Sequence, residues 1–371
     1  MHKITFYPLG NADTCRIDLS NGKTLLFDYA NVRDNNDKYD LRIDLEKTLR
    51  DDLLGAKKDY FDVVAFTHSH DDHVKGFSDF FYLEHASKYQ GGGRIKISEL
   101  WVPAAIIMEE GPEDEARILR AEARYRLREG KGIRVFSRPD RLKQWLDSHN
   151  INFEEREHLI TDAGKEVPGF TRANDGVEFF VHSPFAEHVD EGYEDKNESS
   201  LVMHATFDMD GQETKFLIIG DSTNEALTEI VNITRFHNRE HRLEWDIYDI
   251  PHHCSYRALN NDKGKDKTEP VPEVKWLLEQ GRNKGILIAS SKPIPTDDAD
   301  SQPPHRQAAN CYKDAAAAIS GKFKVTMEHP EKSKPKPLEI TIDKWGATLK
   351  LITSTGGVAA VTTQAPRAGD L

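Results

Sequence analysis

A strand-like apolar segment that runs directly into a histidine-rich loop is the feature that most constrains the fold of this chain. Residues 61–66 (FDVVAF) predict a buried strand, and residues 67–73 (THSHDDH) follow without a spacer. Five potential metal ligands therefore fall within residues 68–73, at the end of a strand. Loops in that position commonly carry active sites.

The spacing His-x-His-x-Asp-His predicts two adjacent cation positions. His68 and His70 can face one cation, and Asp72 and His73, further round the loop, can face a second. Imidazole and carboxylate groups suit Zn²⁺, Mn²⁺ or Fe²⁺. We expect two divalent ions, Zn²⁺ or Mn²⁺, with a bridging hydroxide that attacks a phosphorus or a carbonyl carbon.

This loop resembles the signature of the metallo-β-lactamase fold hydrolases, and further motifs follow in that family's order. They are strand ends at Gly220-Asp221 and His252-His253, after the motifs at 9–15 and 21–28. Together they resemble the hydrolase domain of the DNA-uptake channel ComEC and its soluble relatives, over roughly residues 1–100 and 175–350. The resemblance implies an α/β fold, a four-layer αββα sandwich with a two-metal site at one edge.

The resemblance also implies roles for single residues. Asp221 is expected to bridge the two cations, and His253 is favoured over His252 as a ligand, since small residues follow it. His252 is then expected to donate a proton or to orient a ligand. We expect Asp72, Asp221 and His252 to be the catalytic residues.

One ligand of the first cation stays open in the sequence. Many family members have a histidine where Asn197 stands, and an amide oxygen is a poorer ligand than imidazole. His182, at the end of a predicted strand, is an alternative, whereas His204 lies within a strand and is expected to be structural. The loop also departs from the ComEC type, which usually has Asp where His70 stands.

Composition favours an enzyme over a protein that coats nucleic acid, because the net charge is −13. No run of eighteen apolar residues predicts a membrane span, and the first residues lack an apolar signal segment. Three cysteines without a CxxC pair indicate a reducing compartment. We expect a cytoplasmic protein that does not contact a membrane.

One hydrolase domain is expected over residues 1–355, and a disordered tail is expected over 356–371. Within the domain, 74–89 predicts a helix, and 104–165 predicts a charged helical insertion over the active-site edge. The insertion is rich in basic residues, of which Arg124, Arg128 and Lys131 are candidate contacts to a polyanion. A solvated helix face is the alternative for these three.

His305 and Ser290 are further candidates for substrate binding, because Ser290 ends a predicted strand and His305 begins a predicted helix. Three functional classes compete. A phosphodiesterase or nuclease acting on nucleic acid or nucleotides is favoured by the motif order and the basic segment. A hydrolase of a small ester, lactone or thioester agrees better with the acidic charge. A non-catalytic module, with a protein partner in a defence or regulatory complex, is supported only by the weak ligand Asn197.

Overall fold

The computed structural model describes residues 1–191, 197, 199–352 and 358–360. This part of the chain forms sixteen strands, numbered in chain order: β1 (His2–Phe6), β2 (Cys15–Asp18), β3 (Thr24–Phe27), β4 (Tyr60–Ala65), β5 (Lys96–Pro103), β6 (Ile133–Phe136), β7 (Ile160–Thr161), β8 (Val177–Ser183), β9 (Val202–Met209), β10 (Gln212–Ile218), β11 (Trp245–Ile250), β12 (Gly281–Ala289), β13 (Lys322–Val325), β14 (Leu338–Asp343), β15 (Gly346–Ile352) and β16 (Val358–Ala360).

Eleven α-helices lie between the strands in the same part of the chain. They are α1 (Leu45–Gly55), α2 (Asp71–Val74), α3 (Phe77–Phe80), α4 (Ala104–Met108), α5 (Asp114–Glu129), α6 (Asp140–Ser148), α7 (Arg172–Asp175), α8 (Ala186–Glu191), α9 (Asn224–Phe236), α10 (Pro272–Glu279) and α11 (Arg306–Ala318). None of the helices described is long and apolar enough to cross a bilayer.

The strands form two mixed sheets. The first has the order β16-β15-β14-β1-β2-β3-β4-β5-β6-β7, and the second has the order β13-β12-β11-β10-β9-β8. Strands β3 to β7 run parallel to one another, and so do β10 to β13. The remaining neighbours are antiparallel. The α/β class and the two-sheet arrangement expected from the sequence are confirmed.

Three apolar clusters separate four layers. Alternation along a strand sends successive side chains to opposite faces of its sheet. Leu25 of β3 thus joins the cluster between the sheets, while Leu26 joins the cluster shared with helices such as α1 and α5. Ile288 of β12 likewise points between the sheets, and Leu287 points to the helices α9, α10 and α11. This is the predicted αββα order.

The carboxyl ends of the parallel strands in both sheets carry the candidate site. The loop 67–73 follows β4 in the first sheet, and Asp221 and His252 follow β10 and β11 in the second. A hydrogen bond from the His252 N–H to the Gly220 carbonyl (3.2 Å) joins the two second-sheet loops. Polar side chains from both sheets therefore meet at one edge of the sandwich.

Two expectations from the sequence are wrong. Residues 104–165 are not only a helical insertion, because β6 and β7 lie within them and extend the first sheet beyond β5. The helix over 74–89 is not continuous, because Gly76, at φ +80°, ends α2 before α3 begins. The predicted tail 356–371 lies outside the described residues except for β16.

Candidate metal centre

Asp28 holds the start of the metal loop in place. It follows β3, and its carboxylate accepts the Thr67 N–H and the Thr67 hydroxyl, both at 2.7 Å. The Thr67 hydroxyl oxygen in turn lies 3.1 Å from His68 Nδ1 and can accept that N–H. The Nε2 atom of His68 is then the nitrogen left to face a cation.

The same carboxylate orients His73. The Nδ1–H of His73 donates to Asp28 Oδ2 at 2.8 Å. Its Nε2 lies 3.4 Å from Asp221 Oδ1 and 3.6 Å from Asp13 Oδ2. His73 is fully buried, and neither its Nε2 nor Asp221 Oδ1 has a hydrogen-bond partner among the described residues. A buried nitrogen that is fixed in this way suits a metal ligand.

The first group of ligands consists of His68, His70 and Asp221. His68 Nε2 lies 3.0 Å from His70 Nδ1 and 3.9 Å from Asp221 Oδ2. Ligand atoms around a tetrahedral Zn²⁺ with bonds of about 2.1 Å lie about 3.4 Å apart. The three side chains therefore fit one cation, as the loop spacing predicted.

The second group brings together loops from both sheets. It contains Asp13, His73, Asp221 and His253, whose ligand atoms all lie within 4.8 Å of one another. The Nδ1–H of His253 donates to the Ser290 carbonyl at 2.9 Å, which leaves Nε2 for a cation. That Nε2 lies 3.1 Å from Asp72 Oδ2 and 3.8 Å from Asp221 Oδ2. Asp221 thus belongs to both groups, and a third group, His68, Asp72 and His73, lies across them.

The turn that presents His253 has an uncommon backbone. His252, His253 and Cys254 have φ angles of +50°, +51° and +67°. Residues other than glycine pay about 1–3 kcal/mol each for such conformations, so the surroundings must hold them. The N–H of His305 donates to the Cys254 carbonyl at 3.0 Å, and His305 Nδ1 accepts the Tyr256 N–H at 3.4 Å. His305 thereby fixes the turn.

The histidines differ in charge when no cation is present. Burial, followed by the neighbouring His73, holds the pKa of His68 well below its usual range. Burial also acts against protonation of His253, but Asp221 and Asp13 outweigh it and raise its pKa to about 10. Burial also lowers the pKa of His73, but the carboxylates of Asp221 and Asp28 outweigh burial and raise this pKa well above its usual range. The protons on the His73 and His253 rings offset the negative charge of the neighbouring carboxylates, and bound divalent cations would offset that charge in their place.

The remaining expected ligands have different outcomes. Asn197 is buried, and its backbone carbonyl accepts the Ser200 N–H at 3.4 Å. Its side-chain amide as a metal ligand stays a prediction. The alternative His182 is wrong, because its ring bonds to the Arg242 carbonyl (3.0 Å) and the Thr234 hydroxyl (3.4 Å). The structural role of His204 is confirmed by its bond to the Glu244 carbonyl at 2.9 Å.

His252 and the substrate candidates lie around the ligands. His252 Nε2 is 4.0 Å from Asp221 Oδ2, and its side chain is 23% exposed, so it can reach a bound molecule. Ser290 is buried and contributes the carbonyl that orients His253. His305 is buried, and its ring nitrogens lie against the Tyr256 N–H and, at 3.1 Å, the Ser301 carbonyl, so the structure gives it a positioning role.

Two of the three candidate cations of residues 104–165 lie away from the ligand loops. Arg128 and Lys131 are exposed near the beginning of β6, whereas the ligand loops follow strand ends at the opposite edge. Arg124 is half-buried, donates to the Ile107 carbonyl at 2.9 Å and stacks on Trp145. The expectation of three exposed cations is therefore wrong. The beginning of the segment does reach the metal loop, because the Ser69 hydroxyl donates to the Glu109 carboxylate at 2.7 Å.

Asp13 and Asp28 are site residues that the sequence motifs did not single out. Both stand in segments 9–15 and 21–28, which the resemblance includes, and Asp28 follows a strand directly. The Asp13 N–H donates to the Asp72 carbonyl at 3.0 Å, which ties the β1–β2 loop to the metal loop. Such a contact between distant segments depends on strand pairing that local patterns do not reveal.

No protein-family model and no curated protein sequence matches this chain. Solved structures that align with it include a diphosphatase of the PhnP family, with 8% identity, TM-score 0.36 and coverage of 92% of this chain and 98% of that one. Yeast PDE1 aligns with 10% identity, TM-score 0.41 and coverage of 88% and 98%. The metallo-β-lactamase GOB-18 from Elizabethkingia meningoseptica aligns with 12% identity, TM-score 0.32 and coverage of 74% and 87%. Because these TM-scores are below 0.5, fold and function rest on the chain's own sheets and side chains.

Proposed function

We propose that this chain is a metal-dependent hydrolase with two divalent cations, and that its substrate is a phosphodiester. The observation that carries the proposal is the position of Asp221, whose carboxylate belongs to both ligand groups. A carboxylate shared in this way suits cations a few ångströms apart, as in two-metal hydrolases. The metallo-β-lactamase resemblance of the motifs is consistent with this arrangement.

The chain's own residues supply orientation and proton transfer. When bound, the cations would lower the pKa of a water and offset negative charge that develops in the reaction. Asp28 and the Ser290 carbonyl orient His73 and His253, so that each turns Nε2 to the site. His252 is partly exposed beside Asp221, and we assign it the proton that the leaving group takes up.

Lys292 supports an anionic substrate. It follows Ser290 by two residues, and its N–H donates to Asn11 Oδ1 at 3.0 Å, two residues before Asp13. The side chain is exposed, and no carboxylate pairs with it among the described residues. Because its backbone adjoins the loop that carries Asp13, we infer that this ammonium can bind a phosphate oxygen of the substrate. Since Arg128 and Lys131 lie at the other edge, we favour a nucleotide-sized substrate over a long nucleic acid.

A small ester, lactone or thioester is the second candidate. The acidic net charge of −13 and the remote position of Arg128 and Lys131 both agree with an uncharged substrate. Such a substrate would need the cations but would gain little from Lys292. The two candidates therefore differ in what a change at Lys292 should do.

The test is a substrate panel on protein loaded with Zn²⁺ or Mn²⁺. It contains bis(4-nitrophenyl) phosphate, cyclic and linear dinucleotides, 4-nitrophenyl acetate and a homoserine lactone. We expect turnover of phosphodiesters, and Lys292→Ala should raise KM for them about tenfold with little change in kcat. Lys131→Ala is the matched control and should behave as the parent protein. Turnover of the ester or lactone alone would favour the second candidate, and no turnover together with no metal uptake would refute both.

A further inference from the structure

The two ligand groups differ in their chemistry, and Asp13 makes the difference. The first group offers two imidazoles and the shared carboxylate of Asp221. The second offers the imidazoles of His73 and His253, the same carboxylate of Asp221, and in addition Asp13. Asp72 Oδ2, 3.1 Å from His253 Nε2, adds a further oxygen nearby.

Asp13 is held where a ligand would stand. Its Oδ2 lies 3.6 Å from His73 Nε2, the nitrogen that faces the site. It also lies 3.7 Å from His253 Nδ1, the nitrogen that donates to the Ser290 carbonyl. Its side chain is 16% exposed, and its N–H is bound to the Asp72 carbonyl. Two residues earlier, the Asn11 side chain bonds to the Pro303 carbonyl and to the Lys292 N–H, so the loop is fixed from both sides.

Two unpartnered atoms point into the same space. His73 Nε2 and Asp221 Oδ1 are buried 3.4 Å apart and have no hydrogen-bond partner among the described residues. Asp13 Oδ2 completes a triangle with this pair, since it lies 3.6 Å from the nitrogen. A cation among these three atoms would satisfy both unpartnered atoms, which a further carboxylate alone would not.

We propose that Asp13 is a ligand of the second cation, and that its additional carboxylate makes this position a better site for Mn²⁺ than the first position, which has two imidazoles and only the shared carboxylate. The inference rests on the two-metal function proposed above. Carboxylate oxygens suit Mn²⁺, whereas imidazole suits Zn²⁺. Zn²⁺ still binds more tightly than Mn²⁺ at most sites of either kind, so the expected difference is a smaller preference for Zn²⁺ at the second position.

Asp13→Asn tests this assignment, with Asp59→Asn as the matched control. Asp59 is an exposed carboxylate next to β4, at the end of that strand away from the ligand loops. Mn²⁺ binding is followed by the paramagnetic resonance signal of free Mn²⁺, and Zn²⁺ binding by competition with a chromophoric chelator. For Asp13→Asn we expect the second Mn²⁺ to bind about tenfold or more weakly, with a smaller loss for Zn²⁺ and an unchanged first ion. Asp59→Asn should match the parent.

The outcomes separate this inference from the proposed function. If the parent binds two ions and Asp13→Asn binds both Mn²⁺ and Zn²⁺ with parental affinities, Asp13 is not a ligand, and the two-metal function stands. If the parent takes up no second ion, both the Asp13 assignment and the two-metal function are refuted. Should Asp13→Asn fail to fold, the parent alone remains decisive, because identical ratios of Zn²⁺ to Mn²⁺ affinity at its two positions would overturn the inference.

Discussion

His68 and His253 would meet a metal ion in different protonation states. Without a cation, His68 is held neutral by burial, while His253 has a pKa of about 10 and His73 a pKa raised well above its usual range. A metal ion binds the neutral imidazole. Binding at the second position must therefore displace protons at pH 7, whereas His68 has none to lose.

Metal uptake should depend on pH in a way that follows from this difference. Between pH 7 and 8, each displaced proton makes the logarithm of the apparent association constant rise by about one per pH unit. We expect a slope of about two for the second ion, from His73 and His253, and a slope near zero for the first. Calorimetric titration in two buffers with different ionisation enthalpies measures the protons released. Equal release for both ions would contradict the assigned charges.

Asp72 and His73 are expected to be needed for turnover but not for folding. Asp72 is partly exposed in the short helix α2, and the buried His73 ring has the carboxylates of Asp13, Asp28 and Asp221 as neighbours. The double variant Asp72→Ala with His73→Ala should lose at least about 100-fold in kcat/KM while it keeps its far-ultraviolet circular dichroism. Asp71→Ala, an exposed neighbour outside the ligand groups, is the control. Parental turnover by the double variant would exclude the two-metal mechanism.

At the level of single residues, the sequence predicted those ligands that share one short loop or end a strand. His68, His70, Asp221 and His253 fall into the two groups for this reason. Asp13 was not predicted, because its contact with Asp72 joins segments that are far apart in the chain. His182 was offered as a ligand because its position at a strand end resembles theirs, but its strand belongs to another part of the second sheet.

At the level of elements, the charged segment shows what composition leaves undecided. The arginines of helix α5 differ in exposure. Arg126 is buried and bonds to Glu122, while Arg128 is exposed. The sequence predicted the helix, since Asp114 and Glu115 are acidic residues of the kind that favour a first turn. It did not predict that the next strand, β6, would join the sheet and turn the end of the helix away from the ligand loops.

The basic side chains at the end of α5 should not contribute to substrate binding. Arg128 and Lys131 lie at the amino-terminal edge of the parallel strands, beyond a Debye length of about 10 Å from the ligand loops along the strand. Replacing both with Ala should leave KM for a dinucleotide unchanged across a series from 50 to 300 mM salt, a range of about sixfold. Lys292→Ala, measured in the same series, provides the positive control. If KM of the double variant depended less on salt than KM of the parent, these two side chains would contribute to substrate binding.

At the level of the whole molecule, the ligands connect the two sheets. Asp13, His68, His70, Asp72 and His73 stand on loops of the first sheet, and Asp221 and His253 stand on loops of the second. Below them, the cluster between the sheets is apolar and well packed, with Trp101 against four aromatic rings. The sheets are thus held by this core along their length and, at the carboxyl edge, by polar side chains that cations could join.

Removal of metal should therefore loosen one edge of the molecule and leave its layers intact. An ion present at 100 times its dissociation constant stabilises the folded state by about 2.7 kcal/mol, so two ions should raise Tm measurably. After chelation we expect a lower Tm and faster hydrogen exchange at residues 67–73, 220–223 and 250–256, with unchanged exchange in β1, β9 and β14. Re-addition of Zn²⁺ or Mn²⁺ should restore both readouts, while Mg²⁺ should restore them less, because imidazole suits it poorly. A Tm and an exchange pattern that chelation leaves unchanged, in protein shown to have held metal, would mean that the cations do not join the sheets.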